Sequence, residues 1–417
     1  MSIPGAAGRP RYATGWIPDD VRRETEEGAR VSAAAEWDAI GIERLQEVGS
    51  VKWSRFPGTI GAFVAEMDFG TAPVIADAMK ASIDDGLLGY LPEPLEQRLR
   101  AACAAWQRDR YGWDVPAENV RSMPDVLTVL RVMISRYTPP GSKVVVPTPA
   151  YMPFLTIPPL LGREVVQVPM LLQDGRYVFD LDAIDAALAD AGLLVLCNPY
   201  NPLGRVFERD ELLALAEVVE RHGARVFSDE IHAPLTMPGT RHVPYASLTE
   251  ATAAHTITAT SASKAFNMPG LRAAQVILSN AEDAASWDDA AAEASGAHPS
   301  TIGVLANAVA YESGGPWLAE LVDYLDGNRR RFGELLAELI PDMGYVAPQG
   351  TYIALLDARR LGIEGSPADF FREHARVALT DGIACGEAGE GHVRIILATP
   401  RPILEEAVRR MAAALAR

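Results

Sequence analysis

The sequence predicts an α/β protein with a large domain, in which helices flank a mostly parallel sheet, and a smaller α+β domain after it. Between positions 72 and 278, helical patterns alternate with short, continuously apolar runs, which are typical of strands buried on both faces. Helical patterns dominate from 282 to 340, and the remaining residues return to alternating strand and helix patterns. Ligands of such sheets bind beyond the carboxyl ends of the strands.

Hydrophobic periodicity and turn residues locate the individual elements. In the large domain we expect strands at 120–122, 143–146, 165–168, 193–196, 225–228, 255–260 and 274–278, and helices at 73–84, 93–111, 125–137, 181–189 and 209–221. A further helix is expected near 33–48, after a flexible N-terminal arm. In the tail we expect strands at 352–356 and 392–397, and helices near 367–378 and at 402–415.

Composition limits the classes of function. The chain has 417 residues and a net charge of −17, which argues against nucleic acid and anionic membrane surfaces as partners. No apolar run approaches the roughly 20 residues of a membrane helix, and the first 36 residues lack the apolar region of a secretory signal. Cys103, Cys197 and Cys385 have no metal-like spacing, so we expect buried free thiols and a cytoplasmic location.

The segment 261–272, SASKAFNMPGLR, is the strongest functional signal. It follows a predicted strand and places Lys264 between small residues, which suits a lysine held at the end of a buried strand. Such a lysine can form an imine with a carbonyl cofactor, and Arg272 offers a planar fork for a phosphate. Together these groups meet the requirements of pyridoxal 5′-phosphate (PLP).

Three further motifs occur in the order found in a known superfamily. They are NPYNPLG at 198–204, SDEIH at 228–232 and GHVRI at 391–395. With the lysine segment, they resemble the fold-type I PLP-dependent aminotransferase superfamily (class I/II). The segments VKW at 51–53, AEMDF at 65–69, TPAY at 148–151 and QGTY at 349–352 are similar to its cystathionine β-lyase or C–S lyase (MalY/PatB-like) branch.

The resemblance implies roles for the residues around the cofactor ring. Lys264 would form the imine and then act as base on the substrate Cα, and Asp229 would pair with the pyridinium nitrogen. Asn201 would donate a hydrogen bond to the 3′ oxygen, Tyr151 would stack on the ring, and His232 would contribute to the pocket. Each residue also has a purely structural interpretation, such as a turn, a cap or loop packing.

The resemblance also implies phosphate and substrate ligands. Ser261, Ser263, Arg272 and the backbone amides of Val126 and Leu127 would hold the phosphate, although Asp125 stands where the family usually has glycine. Tyr90 would reach the phosphate of a neighbouring subunit, which implies a homodimer with shared active sites. Arg394, with Asn201 and Tyr151, would bind the substrate and its α-carboxylate. The expected catalytic residues are Lys264, Asp229 and Tyr90, and no metal is expected.

The family's small domain is discontinuous, and its boundaries are expected here by resemblance. Residues 1–60 would form an N-terminal arm and part of the small domain. Residues 61–290 would form the large PLP-binding domain. Residues 291–417 would form the rest of the small domain with its connecting helix.

The predicted reaction is β-elimination from cystathionine or another cysteine S-conjugate, which yields a thiol, pyruvate and ammonia. An aminotransferase between an amino acid and a 2-oxo acid is the alternative, because the same residues serve both reactions. A regulatory protein on the same fold is a third hypothesis. The branch often has tryptophan at the positions of Phe63 and Leu355 and aspartate at that of Glu66, so the substrate side-chain pocket is expected to differ from the group's norm.

Overall fold

A computed structural model describes residues 32–294 and 298–416 of the chain, with the side chains of 292–294 left undescribed. The α-helices are α1 (Ala33–Asp38), α2 (Ile42–Val48), α3 (Val51–Ser54), α4 (Pro73–Asp84), α5 (Glu93–Tyr111), α6 (Val126–Arg136), α7 (Pro153–Leu160), α8 (Leu181–Leu188), α9 (Arg209–His222), α10 (Glu250–His255), α11 (Ala281–Ala294), α12 (Thr301–Ser313), α13 (Gly315–Leu339), α14 (Pro367–Phe370) and α15 (Arg401–Leu415).

The strands are β1 (Ile60–Gly61), β2 (Val120–Met123), β3 (Lys143–Thr148), β4 (Val165–Pro169), β5 (Leu171–Gln173), β6 (Arg176–Val178), β7 (Ala191–Cys197), β8 (Arg225–Asp229), β9 (Thr256–Thr260), β10 (Ala274–Leu278), β11 (Gly344–Tyr345), β12 (Ile353–Asp357), β13 (Val377–Ala378), β14 (Thr380–Asp381) and β15 (His392–Ile396). All seven strands predicted for the large domain are present, and each end lies within two residues of its predicted position.

The large sheet has seven strands in the order β2-β10-β9-β8-β7-β3-β4. β10 runs antiparallel to both of its neighbours, and the other strand pairs are parallel. One core cluster joins the sheet to α6, α8 and α9, and another surrounds α4, α5 and α12. The predicted mostly parallel sheet flanked by helices is therefore confirmed.

A second sheet has four antiparallel strands in the order β11-β12-β15-β14. Its core cluster includes Leu45 and Trp53 from the N-terminal part together with residues of α13 and α15. This packing supports a small domain built from both ends of the chain, while the boundaries at 60 and 290 stay a prediction. Within the described ranges, no helix is long and apolar enough to cross a membrane.

Two predicted helices are wrong in detail. The helix expected near 33–48 is divided into α1 and α2, because Gly41 has an extended backbone and caps α2. The helix expected near 367–378 is divided into α14 and a π-helix at Phe371–Ala375, and the left-handed backbone of Arg376 (φ 57°) stops it there. The next two residues form β13, which pairs in parallel with β1. Positions 1–31 of the expected N-terminal arm lie outside the described residues.

Candidate active site

A cavity of about 580 Å³ lies where the predicted site residues converge. Asp229 ends β8, Asn201 follows β7 and Lys264 follows β9, so adjacent parallel strands deliver all three to one edge of the sheet. The further predicted residues that line this cavity are Tyr151, His232, Ser261, Ser263, Arg272, Val126, Leu127 and Arg394. Tyr90 does not line the cavity; its side chain is fully exposed on the surface of the chain.

Lys264 lies deep in the cavity with its ammonium group near a backbone carbonyl. Its Nζ donates a hydrogen bond to the Ala65 carbonyl oxygen at 3.2 Å. Burial lowers the pKa of Lys264 to about 8, and the positive charge of Arg394 adds to this effect while Asp229 and Glu66 oppose it. The lowered pKa raises the neutral fraction of this amine near physiological pH, and the neutral amine is the form that acts as a nucleophile or a general base.

Asp229 is almost fully buried at the end of β8. Its Oδ1 accepts a hydrogen bond from the Ile231 amide at 3.0 Å. Burial raises the pKa of Asp229 to about 7, although this amide and the positive charge of Lys264 act in the other direction. A buried carboxyl in this state needs a cationic or proton-donating partner to carry its negative charge.

Arg394 extends from β15 into the cavity and is anchored by neighbouring oxygens. Its Nη2 donates to the Phe63 carbonyl at 2.7 Å and to Thr380 Oγ1 at 3.4 Å, and its Nη1 donates to Asn201 Oδ1 at 3.4 Å. Its buried Nε has no hydrogen-bond partner among the described residues. Burial lowers the pKa of Arg394, but the guanidinium stays charged. A partly unsatisfied buried cation is a suitable ligand for a carboxylate.

His232 lies beside this lysine–arginine pair and is nearly inaccessible to solvent. Burial lowers its pKa to about 3, and the positive charges of Lys264 and Arg394 contribute, so the imidazole is neutral. Its Nδ1 is buried without a partner in the described structure. Its ring meets the Tyr352 ring edge-on at 6.1 Å. The Tyr352 hydroxyl donates to the same Ala65 carbonyl that accepts from Lys264.

The expected phosphate ligands surround the N-terminus of α6, where the amides of Val126 and Leu127 lie in the first turn. The Ser261 hydroxyl is already engaged: it donates to the Ala273 carbonyl at 2.8 Å and accepts from the Ser263 amide at 3.0 Å. Ser261 therefore orients the lysine-bearing turn in this structure, and any contact of its hydroxyl with a phosphate stays a prediction.

Asp125, which occupies the usual glycine position, is the N-cap of α6. Its Oδ1 accepts from the amide and the hydroxyl of Thr128, and its Oδ2 forms an ion pair with Arg272 at 2.7 Å. The Asp125 carboxylate thus accepts from the Thr128 amide, which has no partner within the helix, and it pairs with Arg272, which was expected to bind phosphate. This ion pair leaves the amides of Val126 and Leu127 available to a ligand.

Several lining groups have no sequence signature. The backbone carbonyls of Phe63 and Ala65 anchor Arg394 and Lys264, but main-chain atoms leave no trace in residue identity. Arg55, Met152 and Asp381 also line the cavity. Arg55 lies shortly after the recognised segment 51–53, but no residue type or spacing there indicated a role for the arginine itself.

Comparisons with known proteins agree with this arrangement. A family model described as aminotransferase class I and II matches residues 63–411. A Mycobacterium tuberculosis protein, provisionally named a cystathionine beta-lyase, is 40% identical over 409 residues, which cover 91% of this chain and 98% of that protein. The cystathionine beta-lyase of Corynebacterium glutamicum is 36% identical, with 90% and 99% covered.

A solved structure has the same fold. The PLP-bound C–S lyase from Staphylococcus hominis superimposes with a TM-score of 0.84 at 27% identity. The similarity covers 91% of this chain and 99% of that one. The resemblance found in the sequence motifs therefore extends over nearly the whole described chain.

Proposed function

Because the chain belongs to the class I and II aminotransferase family, we propose that it is a PLP-dependent C–S β-lyase. It cleaves cystathionine or related cysteine S-conjugates to a thiol, pyruvate and ammonia. The observation that carries this proposal is the convergence of Lys264, Asp229 and Arg394 in one cavity. The lyase names of the relatives favour elimination over transamination.

The cavity residues fit pyridoxal phosphate chemically. Lys264 supplies an amine of lowered pKa for the aldehyde, and Asp229 supplies a buried carboxylate that forms no ion pair among the described residues. His232 offers an unpartnered nitrogen, and the first turn of α6 offers amides for a phosphate. When bound, the cofactor supplies an electron sink that stabilises negative charge at the substrate Cα.

Lys264 removes the proton from the substrate Cα. The burial that lowers its pKa also keeps a useful fraction of the amine unprotonated, and the Ala65 carbonyl fixes the position of Nζ. Asp229 would hold a proton on the pyridine nitrogen of the bound cofactor, and its low-dielectric surroundings would strengthen that interaction.

Arg394 binds the substrate α-carboxylate and thereby orients the Cα–H bond towards Lys264. The guanidinium is held from behind by the Phe63 carbonyl and by Asn201, which limits its freedom. Once the Cα proton has moved to Lys264, the thiolate leaves Cβ with its bonding electrons. The resulting 2-aminoacrylate is released and hydrolyses to pyruvate and ammonia.

We also propose a homodimer in the cytoplasm. Tyr90 is fully exposed and Leu88 is mostly exposed, which is consistent with a surface that approaches a second subunit. In that dimer Tyr90 would contact the phosphate bound by its neighbour. The three cysteines are buried and unpaired, as expected from the sequence, and this suits a reducing compartment.

The test uses the purified protein loaded with pyridoxal phosphate. With L-cystathionine, we expect equal amounts of pyruvate and free thiol without any added 2-oxo acid. Lys264→Ala, loaded in the same way, should release neither. Absence of pyruvate and thiol from every S-substituted cysteine tried would refute the lyase proposal.

A further inference from the structure

The outer part of the cavity has a chemistry different from that of its deep end. Its wall is formed by Val51, Phe56, Phe63 and Leu379, with Arg55 at the rim. Phe63 connects the two regions. Its carbonyl accepts from Arg394 Nη2 at 2.7 Å, and its ring lies 5.9 Å from the Arg55 guanidinium carbon. Phe63 thus contacts both Arg55 and Arg394, the residue that we propose binds the α-carboxylate.

The charge of Arg55 has no carboxylate partner within the described parts of the chain. Its guanidinium instead rests on two aromatic faces, those of Phe56 at 5.7 Å and Phe63 at 5.9 Å. These rings meet edge-on at 5.1 Å and form a rigid support. Cation–π contacts hold a guanidinium in place while they leave its N–H donors available to a ligand.

The other cations of the cavity are already engaged. Arg272 pairs with Asp125, while Arg394 and Lys264, which also donate to the Phe63 and Ala65 carbonyls, are assigned above to the substrate α-carboxylate and to the cofactor. The acidic residue of the outer part, Asp381, accepts from the Ser366 hydroxyl and from the Ile383 amide. The outer part therefore offers an apolar wall and one available positive charge.

We propose that Arg55 determines specificity by binding a carboxylate at the far end of the leaving group. This inference rests on the proposed lyase function and identifies the substrate class. The enzyme would prefer cysteine S-conjugates whose thiol carries an anionic end over those with a neutral alkyl thiol. The methylene groups of the leaving thiol would pack on Phe56 and Phe63 while its carboxylate meets the Arg55 guanidinium.

The test compares two substrates of equal chain length, S-(3-carboxypropyl)-L-cysteine and S-butyl-L-cysteine, with the wild type and Arg55→Gln. We expect Arg55→Gln to lower kcat/KM for the carboxylate substrate about 3- to 10-fold. The expected effect is modest because Arg55 is exposed and solvent weakens its ion pair with the carboxylate. The loss should appear mainly as a higher KM, because Arg55 would contact the carboxylate equally in the bound substrate and in the transition state. The butyl substrate should change less than about twofold.

Two further variants sharpen the test. Arg55→Lys keeps the charge and should recover part of the loss. Arg44→Gln removes an exposed arginine of α2 that lies outside the cavity lining, and it should not alter the ratio of the two substrates. Arg55→Glu should reverse the preference in favour of S-(3-aminopropyl)-L-cysteine. Equal losses on both substrates, or an unchanged ratio in Arg55→Gln, would overturn the assignment.

A measurement of substrate binding distinguishes a failure of the Arg55 assignment from a failure of the proposed lyase function. Dissociation constants come from the change in visible absorbance of the bound cofactor during titration with each S-substituted cysteine, which needs no turnover. If the wild type binds these amino acids but releases no pyruvate, the lyase proposal fails and the binding ratio still tests Arg55. If the carboxylate analogue binds no more tightly than the butyl analogue, the assignment of Arg55 is wrong.

Discussion

Replacing Lys52 with methionine should destabilise the protein through a buried ion pair beneath the active site. Lys52 Nζ lies 2.8 Å from Asp68 Oδ2, and both side chains are almost completely buried. The same ammonium donates to the Ala398 carbonyl at 3.2 Å, which ties the N-terminal segment to the C-terminal one. Trp53 Nε1 donates to the other oxygen of Asp68 at 2.8 Å.

The expected loss in the free energy of unfolding follows from the unpaired Asp68 carboxylate that Lys52→Met leaves in the interior. The Asp68 carboxylate keeps the indole N–H but loses its counterion, and breaking a buried pair in this way costs about 3–5 kcal/mol. The retained Trp53 bond places the expected loss near the lower end, about 3 kcal/mol. Lys52→Met/Asp68→Leu removes both charges and should cost less than Lys52→Met alone, because no uncompensated charge stays buried and only neutral groups, the Trp53 indole N–H and the Glu66 and Ala398 carbonyls, lose a donor or acceptor.

The assay is urea unfolding followed by tryptophan fluorescence and circular dichroism, with coincident transitions as a check on two-state behaviour. Lys80→Met is the matched control, because the Lys80–Asp77 pair lies on the exposed face of α4 and should contribute less than about 0.5 kcal/mol. A loss below about 1 kcal/mol in Lys52→Met, or simple additivity in the double variant, would refute the reasoning.

The remaining predictions concern the cofactor and use absorbance as the readout. The rate at which the cofactor-free protein takes up pyridoxal phosphate should rise with pH and level off above about 8, because only the neutral Lys264 amine attacks the aldehyde; a flat profile from pH 6 to 9 would contradict this. Asp229→Asn should lower turnover about 100-fold or more while pyridoxal phosphate still binds, and near-normal turnover would remove Asp229 from the mechanism. Asp125→Asn should tighten pyridoxal phosphate binding about 5-fold, since it keeps the helix cap but releases Arg272 for the phosphate; weaker binding would show that the pair supports the site instead. Tyr90→Phe should weaken cofactor retention if Tyr90 reaches a neighbouring phosphate, and an unchanged affinity would count against the shared site.

The sequence predicted the centre of the site because its residues follow strong local signals. Lys264, Asp229 and Asn201 each lie at or shortly after the end of a buried strand, and the parallel order of β7, β8 and β9 brings these strand ends together. Arg394 lies within β15, where alternation alone does not reveal which face meets the cavity. Its position depends on the pairing of β15 with β12 and β14 and on the hydrogen bond to the Phe63 carbonyl.

Other features depend on contacts between distant segments. The parallel pair of β1 and β13 has two residues in each strand, which is too short for any periodic signal. The left-handed backbone at Arg376 is unusual for a residue with a side chain, so the sequence favoured a longer helix there. The carbonyl oxygens of Phe63 and Ala65, and the support of Arg55 by two aromatic rings, follow from tertiary packing alone.

The central claim is that the Cα proton leaves to Lys264 and that elimination then follows. The most direct measurement counts pyruvate per active site when the loaded protein meets excess L-cystathionine without any 2-oxo acid. The account predicts many equivalents of pyruvate and continuous turnover. A reaction that stops after about one equivalent of amino acid per site, and resumes only when a 2-oxo acid is added, would contradict it and identify an aminotransferase.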